Sequence, residues 1–486
     1  MMHRRRLIFF TMVGFFLVAA GSNVYGQATG TLLGAVTDAT GAAIPGAKVT
    51  VLSQDTGVSR VVQTDTSGEY RTPFLPVGHY TIQVSYSGFQ EAVQKDITLQ
   101  VDESREVDFK LSPATVHQQV EVSATPVAVD TTNPTLGQVI TSQQVAQLPL
   151  NGRDFVQLAT LTPGVTTETN TNSFYNGGGS SETSIRGSYS LSVGGSAANS
   201  TDWLLDGVDN NEMTAGAIAI LPSIDAIQEF KVLTFNYSAE YGTRGGPTVL
   251  VTTKSGTNNF HGTLFEFMRN TALDARSFFA QNREQFNENE FGGSLGGPVK
   301  KDKTFFFIDY QGRYLSEGIT HVGQAPTTAM RQGDFTQSFP DSPAVQIYNP
   351  FSTATVNGQV TRSPFMCDAG GSPLPVNANG IQAPGTPCSK IPQSLINPIA
   401  QKMINFYPLP NNLGAELLGT DWVDSPAKHL KEGEWDIRMD HNFSSKDSLF
   451  ARFSYDQATE FLPSGMPGFA NADGFSSTQS LADHGR

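Results

Sequence analysis

Four groups of residues have types and spacing that could do chemistry. Gly292-Gly-Ser-Leu-Gly296 matches the G-x-S-x-G pattern of a hydrolase nucleophile. That pattern works where a buried strand turns sharply into a helix, with an acid and a histidine downstream. Here the next residues read as a turn and another strand, so no catalytic residue is expected. Asp202, Asp206, Asp209 and Glu212 could offer carboxylate oxygens to Ca²⁺. Their spacing is not that of an EF-hand loop, and a turn with Asp and Asn in left-handed positions explains them better. Arg186 is a candidate partner for one of these acids. Cys367 and Cys388 are the two cysteines, and there is no CxxC pair, no HExxH, and no clustering among the eight histidines. No metal site and no cofactor are therefore expected. Gln119-Val-Glu-Val-Ser123 is a short extended run, and an exposed strand edge of this kind can be captured by a partner's sheet.

The elements that must position these residues are mostly strands. The chain has 486 residues, enough for several domains, with 38% hydrophobic and only 16% charged residues. A formal net charge of −14 and the lack of a basic patch argue against nucleic acid as a partner. The 47 glycines and 32 phenylalanines, with little helical periodicity, suit an all-β chain with many turns. Met1 to Gly26 reads as a secretory signal: Arg4, Arg5 and Arg6, then an apolar core from Leu7 to Ala20, then small residues before a cut at Gln27. The alternative is an uncleaved anchor. No other stretch approaches the roughly 18 apolar residues of a membrane helix, so any membrane residence must be as a β-barrel. An exported chain meets an oxidising compartment, which makes Cys367 and Cys388 the candidates for a disulfide closing one loop.

Six short strands are expected early, at Thr31–Thr37, Ala47–Ser53, Ser59–Thr64, Glu69–Phe74, His79–Tyr86 and Glu106–Leu111. Turns such as Asp38-Ala-Thr-Gly41 and Asp65-Thr-Ser-Gly68 separate them, and the spacing suggests a small sandwich. A linker follows from Ala114 to Pro134. Next, Ser142 is expected to cap a helix over Gln143–Leu148, and a second helix should run through Phe155–Leu161 to stop at Pro163-Gly164. Ile224 to Phe230 reads as a helix start, Lys231 to Leu233 as a strand, and Thr248 to Thr253 as a β-branched strand. From Asn259 the chemistry changes. Trp435, Ile437 and Met439 share one face, and Glu434, Asp436, Arg438 and Asp440 the other. Leu449, Ala451, Phe453 and Tyr455 oppose Arg452, Ser454 and Asp456. Phe306, Ile308, Tyr310 and Tyr314 oppose Asp309, Gln311 and Arg313. An aromatic face and a charged face need an apolar medium on one side and water on the other, which a barrel strand in a membrane provides. A soluble sandwich is the alternative. Five such strands are read, at Asn259–Arg269, Asn289–Val299, Lys303–Tyr314, Glu434–Phe443 and Ser448–Asp456. Their connections alternate long and short, as outer loops and periplasmic turns do. Five strands cannot close a barrel, and the chain stops at Arg486 in what would be the third outer loop, so a fragment or truncated product is expected.

Three stretches carry a resemblance. GAVTDATGAAIPGAKVTV with TDTSGEYRTPFLPVGHYTIQVSYSGF is similar to the carboxypeptidase regulatory-like, transthyretin-type sandwich. That likeness implies no peptidase activity, and a role as a rigid spacer or as a module that binds a partner or ligand. Ser184-Ile-Arg-Gly187, DWLLDGVDNN and IDAIQEFKVLTFNYSAEYG resemble the plug of a TonB-dependent receptor. NENEFGGSLGGPVKKDKTFFFIDYQG and GEWDIRMDHNFSSKDSLFARFSYDQ resemble the early barrel strands of Oar-like TonB-dependent receptors. The resemblance implies a mainly β architecture: signal peptide 1–26, transthyretin- or Ig-like β-sandwich 27–113, linker 114–138, α+β plug 139–257, and an incomplete antiparallel transmembrane β-barrel 258–486. It implies a TonB contact in the linker, at Gln119, Val120, Glu121, Val122 and Ser123, unless that run is plain linker. It makes Arg186, Asp202, Asp206 and Asp209 plug-motif residues. It places the chain in the cell outer membrane, among its lipids, with the first domain in the periplasm. The function implied is the N-terminal part of a transporter, not an enzyme, for an extracellular substrate too large for porins. The alternative is a cell-surface binding or adhesion protein without transport.

Overall fold

Every second residue of strand β1 (Thr29–Asp38) is buried from Gly30 to Val36, the signature of a strand with one wet face. This computed structural model describes residues 28–114, 120–121, 134–169, 189–197, 200–211, 218–276, 283–336, 346–412, 420–463 and 477–484. The expected signal peptide over 1–26, and Gln119, Val122, Ser123, Arg186 and Glu212, lie outside them.

The first body is a two-sheet sandwich. Its further strands are β2 (Lys48–Ser53), β3 (Ser59–Gln63), β4 (Glu69–Pro76), β5 (Gly78–Ser85), β6 (Ala92–Leu99), β7 (Ser104–Glu106) and β8 (Phe109–Leu111). One sheet runs β4-β1-β7, with β8 also on β1. The other runs β3-β2-β5-β6 and ends in β9 (Val120–Glu121), a two-residue strand parallel to β6. Leu32, Val36, Val49, Ile82, Val84, Ile97 and Phe109 fill the space between. Two expectations change here. β6 is a strand that the sequence pattern does not mark, because Lys95 and Asp96 interrupt its alternation; Asp96 sits at φ +56° beside a register shift. Glu106–Leu111 is not one strand. Asp108 Oδ1 accepts the Ala35 amide at 2.7 Å, and the ladder breaks around it.

The second body is the plug. Its elements are β10 (Leu136–Thr141), α1 (Ser142–Gln147), two 3₁₀ turns (Asn151–Arg153 and Phe155–Leu161), β11 (Val165–Thr169), β12 (Tyr189–Val193), β13 (Asp202–Leu205), β14 (Val208–Asp209), β15 (Ile227–Phe235) and β16 (Thr248–Thr253). Its main sheet has the order β10-β15-β16-β13-β14. The cap of α1 is Thr141, not Ser142. Thr141 and Gln144 form a reciprocal capping box, with the Thr141 amide donating to Gln144 Oε1 at 3.0 Å. Phe155–Leu161 is 3₁₀ rather than α. The expected helix at Ile224–Phe230 is a turn followed by strand β15. Both faces of β15 are buried, so its apolar residues do not alternate and its period cannot be told from a helix.

The third body is an open six-stranded antiparallel meander: β17 (His261–Asn270), β18 (Phe286–Lys300), β19 (Thr304–Gly318), then, beyond a long loop, strands taken up below. β16 thus belongs to the plug sheet, and β17 begins the wall. The G-x-S-x-G residues lie inside β18, paired on both sides, with no elbow. Gly292 is needed there: a Cβ would stand 2.2 Å from the Tyr310 carbonyl oxygen and 2.8 Å from the Phe265 ring. The long loop carries β20 (His321–Gly323), α2 (Thr328–Arg331), hairpins β21 (Ala354–Val356) with β22 (Gln359–Thr361) and β23 (Phe365–Cys367) with β24 (Thr386–Cys388), α3 (Pro398–Ile404), and β25 (Trp422–Asp424) paired with β20. The wall resumes with β26 (Ala427–Asn442), β27 (Ser448–Leu462) and β28 (Ser477–His484). β28 is a sixth strand, where the sequence led us to expect a loop; STQSLADH holds one large apolar residue, Leu481, and no aromatic alternation. Tight turns join β18 to β19 (Lys303 amide to Lys300 carbonyl, 3.1 Å) and β26 to β27 (Phe443 amide to Asp447 carbonyl, 3.0 Å).

Cys367 and Cys388 form a disulfide across the β23–β24 ladder. Closing a loop of this length removes about 3 kcal/mol of chain entropy from the open state. Cys367→Ser with Cys388→Ser is expected to open 367–388 to protease while the β-sheet melting signal of the wall stays put; limited proteolysis beside circular dichroism reads both.

Candidate functional site

The wall sorts its side chains by face. On β26, Trp435, Ile437 and Met439 are 50%, 43% and 48% exposed, while Glu434, Asp436 and Arg438 are buried. The apolar face suits lipid, and the polar face is covered by the plug. Strand register then creates a charge problem. Arg438 stands directly opposite Arg452 on β27, and Asp309 on β19 stands directly opposite Asp436. Like charges facing each other across a ladder are destabilising.

The plug resolves the arginine pair with Asp206. β13 and β14 are joined by the two-residue turn Asp206-Gly207, with φ of +52° and +82°. Asp-Gly suits this hairpin turn because both positions need positive φ. The turn thrusts a carboxylate into the wall. Arg438 Nη1 donates to Asp206 Oδ1 at 3.1 Å, and to the Thr253 hydroxyl (3.0 Å) and carbonyl (3.2 Å). Arg452 Nε lies 3.1 Å from Asp206 Oδ2, an ion-pair contact whose N–H is not aligned for a hydrogen bond. The Thr253 amide and hydroxyl also donate to Asp206, at 2.9 and 2.8 Å. Asp206 is 1% exposed and Arg438 3%. Each arginine also has an acid of the wall: Arg438 Nη2 donates to Asp440 Oδ1 at 3.0 Å, and Arg452 Nη1 lies 3.9 Å from Asp436 Oδ1, so Asp206 is the carboxylate the two share.

A second row lies further along the wall. Ser223 donates its hydroxyl to Asp309, and Ser454 donates to Asp436, so plug and wall each supply a hydroxyl to the opposed acids. Arg153 Nη2 donates to Asp225 Oδ2 (2.5 Å), its Nε donates to Gln311 (3.2 Å), and its guanidinium lies 4.0 Å over the Phe265 ring. Thr263 donates to Asp225 at 2.9 Å. Beside them is a cavity of about 40 Å³ lined by Asp154, Ser223, Arg313, Glu432 and Glu434 among others. Asp154 caps the 3₁₀ turn by accepting the Val156 amide (2.9 Å), and burial pushes its carboxyl up to about 7.

The opposite face of the plug sheet meets the sandwich. Val101 packs against Leu233 and Leu250. The Val101 amide donates to Glu229 Oε1 at 2.5 Å, and Lys231 Nζ donates to the Asp102 carbonyl at 2.8 Å. Burial pushes the Glu229 carboxyl up to about 7, partly offset by the Val101 amide, with Glu103 raising it further and Lys231 lowering it.

The residues singled out from sequence therefore separate. Asp206 faces the wall. Asp202 and Asp209 share Asn211 instead, whose Nδ2 donates to them at 2.8 and 2.5 Å. The acids do not converge, and among the described residues no three His, Cys, Asp or Glu side chains are placed to hold a metal ion. Sequence reasoning missed Arg438, Arg452, Arg153, Asp225 and Ser223. Alternation puts Arg438 and Arg452 on the charged face, but only register shows that they oppose each other.

Comparison with known proteins follows the same division. Residues 31–112 match the carboxypeptidase regulatory-like domain, 124–247 the TonB-dependent receptor plug domain, and 252–485 the outer membrane beta barrel domain. The chain belongs to the TonB-dependent receptors. This receptor is an outer-membrane protein of a non-enzymatic family. The TonB-dependent transporter Oar of Myxococcus xanthus is 28% identical over 331 residues, covering 64% of the receptor and 29% of Oar. The receptor thus spans less than a third of that relative's length. The outer membrane transporter YddB of Escherichia coli overlaps 68% of the receptor and 34% of its own chain, at 9% identity and a TM-score of 0.36. Catechol 1,2-dioxygenase of Pseudomonas arvilla overlaps 20% and 55%, at 14% identity and a TM-score of 0.16. Neither structural likeness carries an argument at those scores.

Two outcomes are expected. Asp206→Ala removes the carboxylate between Arg438 and Arg452, which keep Asp440 and Asp436 beside them, and should cost about 1.5–3 kcal/mol, read by denaturant unfolding of the receptor in detergent. The docked Glu229 holds its proton more tightly than an undocked one, whose pKa is near 4.5. Sandwich docking is therefore strongest below that value, weakens as pH rises towards about 7, and is level above. Fluorescence transfer between dyes on sandwich and plug should follow that curve, and Glu229→Gln should flatten it.

Proposed function

We propose that this chain supplies the periplasmic sandwich, the plug and the first wall strands of an active transporter. A substrate too large for porins would bind the outer loops and the plug apex. A TonB-type partner in the periplasm would engage the linker and load the plug. The inner-membrane proton gradient would be the energy source. The observation that carries this reading is the Asp206 contact: a soluble α+β body sits on the polar face of a sheet whose other face is apolar, and its carboxylate completes the wall's charges. An adhesion protein would need the wall and the loops but has no use for a plug joined to them by buried ion pairs.

The linker run Gln119–Ser123 is the proposed contact. Val120–Glu121 already forms an extended edge strand on β6, the form in which a second sheet would capture it. The test is a pull-down of the receptor with the purified C-terminal domain of TonB, with and without 119–123. Binding that is lost on deletion supports the reading. No binding in either form contradicts it and favours the adhesion protein.

A further inference from the structure

The sandwich grips one strand of the plug, and that strand is the partner of the one the linker reaches first. The β6–β7 loop presses against β15 through three alternate residues. Leu233 packs on Val101, the Val101 amide donates to Glu229 at 2.5 Å, and Lys231 Nζ donates to the Asp102 carbonyl at 2.8 Å and stands 3.2 Å from its carboxylate. Val101 and Leu233 are fully buried. Asp102 holds φ +51°, a conformation Asp tolerates at a loop tip. β10 pairs with the same stretch of β15: Thr141 with Glu229, Val139 with Lys231, Gly137 with Leu233. β10 is the first plug strand after the linker, and the sandwich is the last body before it.

A load applied within the linker therefore has two ends. One end pulls β10. The other pulls the sandwich, and through Val101 and Asp102 it pulls β15. We propose that the sandwich is a second handle on the plug, which delivers part of the load to β15 so that β10 and β15 move as a pair rather than β10 peeling off alone. This rests on the reading that a partner loads the linker. The contact has the chemistry of a mechanical joint: buried aliphatic packing surrounds a charge-assisted hydrogen bond, with a second hydrogen bond to a carboxylate. A rigid spacer with no role in loading would not need to bury Glu229 and Lys231 against its own loop.

The test pulls the receptor in a supported bilayer by a single thiol at Ser123→Cys, using a force microscope tip, so that no TonB is required. The variants are Asp102→Asn and Lys231→Met, singly and together; Asn keeps the positive φ available, and Met keeps the length of the side chain. The wild type is expected to release β10 and β15 in one event. Each single variant should show an earlier event at lower force, in which β10 leaves alone, with a contour length short by the segment from Ser142 to Phe235 that stays behind. The double variant should be no worse than either single one, because both remove the same joint. Exchange protection of Thr248–Thr253 checks that the plug is still seated. Identical force and contour length in wild type and variants would overturn the second handle. A handle signature together with failure to bind TonB would instead overturn the transporter reading alone.

Discussion

One carboxylate holds the structure together electrostatically. Asp206 projects from a two-residue turn into a wall whose own register sets two arginines face to face. Without the plug, Arg438 and Arg452 face each other with no carboxylate between them. Without the wall, Asp206 is an ordinary turn residue. Each body completes the other, and the burial that makes the pair strong also makes it costly to break one side at a time. Asp309 and Asp436 pose the opposite problem, and hydroxyls from Ser223 and Ser454 meet them. The polar face of the wall thus meets the plug at Arg438, Arg452 and Asp309, while the other face keeps Trp435, Ile437 and Met439 for lipid.

The plug sheet is a middle layer. Phe230, Val232, Val249 and Val251 face its own core, with Phe155 edge-on to Phe230. Leu233 and Leu250 face the sandwich. A sheet covered on both faces is buried at nearly every position, as β15 and β16 are. Charges that enter such a layer must be paired, and Glu229 and Lys231 are paired with the sandwich loop. The domains are therefore joined by more than a chain: the plug bears on the wall through one face and on the sandwich through the other.

Local pattern reveals much of this and misses the rest for definable reasons. Alternation marks β26 strictly from Glu434 to Asp440, and β19 and β27 less strictly, because lipid on one side and polar plug on the other impose it; Phe305 and Phe307 break it on the inner face of β19. The Asp-Gly turn is legible because only a few residues tolerate positive φ. β15 misleads because burial on both faces erases the period. β6 and β28 are faint because charged or small polar residues break their alternation. Thr141 rather than Ser142 caps α1 because Gln144 reciprocates, which depends on where the strand ends. Arg438, Arg452 and Asp206 are each visible as charged residues, but their meeting depends on strand register and on a contact 232 residues apart, which no short window contains.

The most direct measurement is a double-mutant cycle between Asp206→Asn and Arg438→Met, with unfolding of the receptor followed in detergent. If plug and wall are joined by this buried pair, the two effects are strongly non-additive, with a coupling of about 1–3 kcal/mol. Additivity to within about 0.5 kcal/mol would contradict the account, because it would mean that the plug is seated by shape alone.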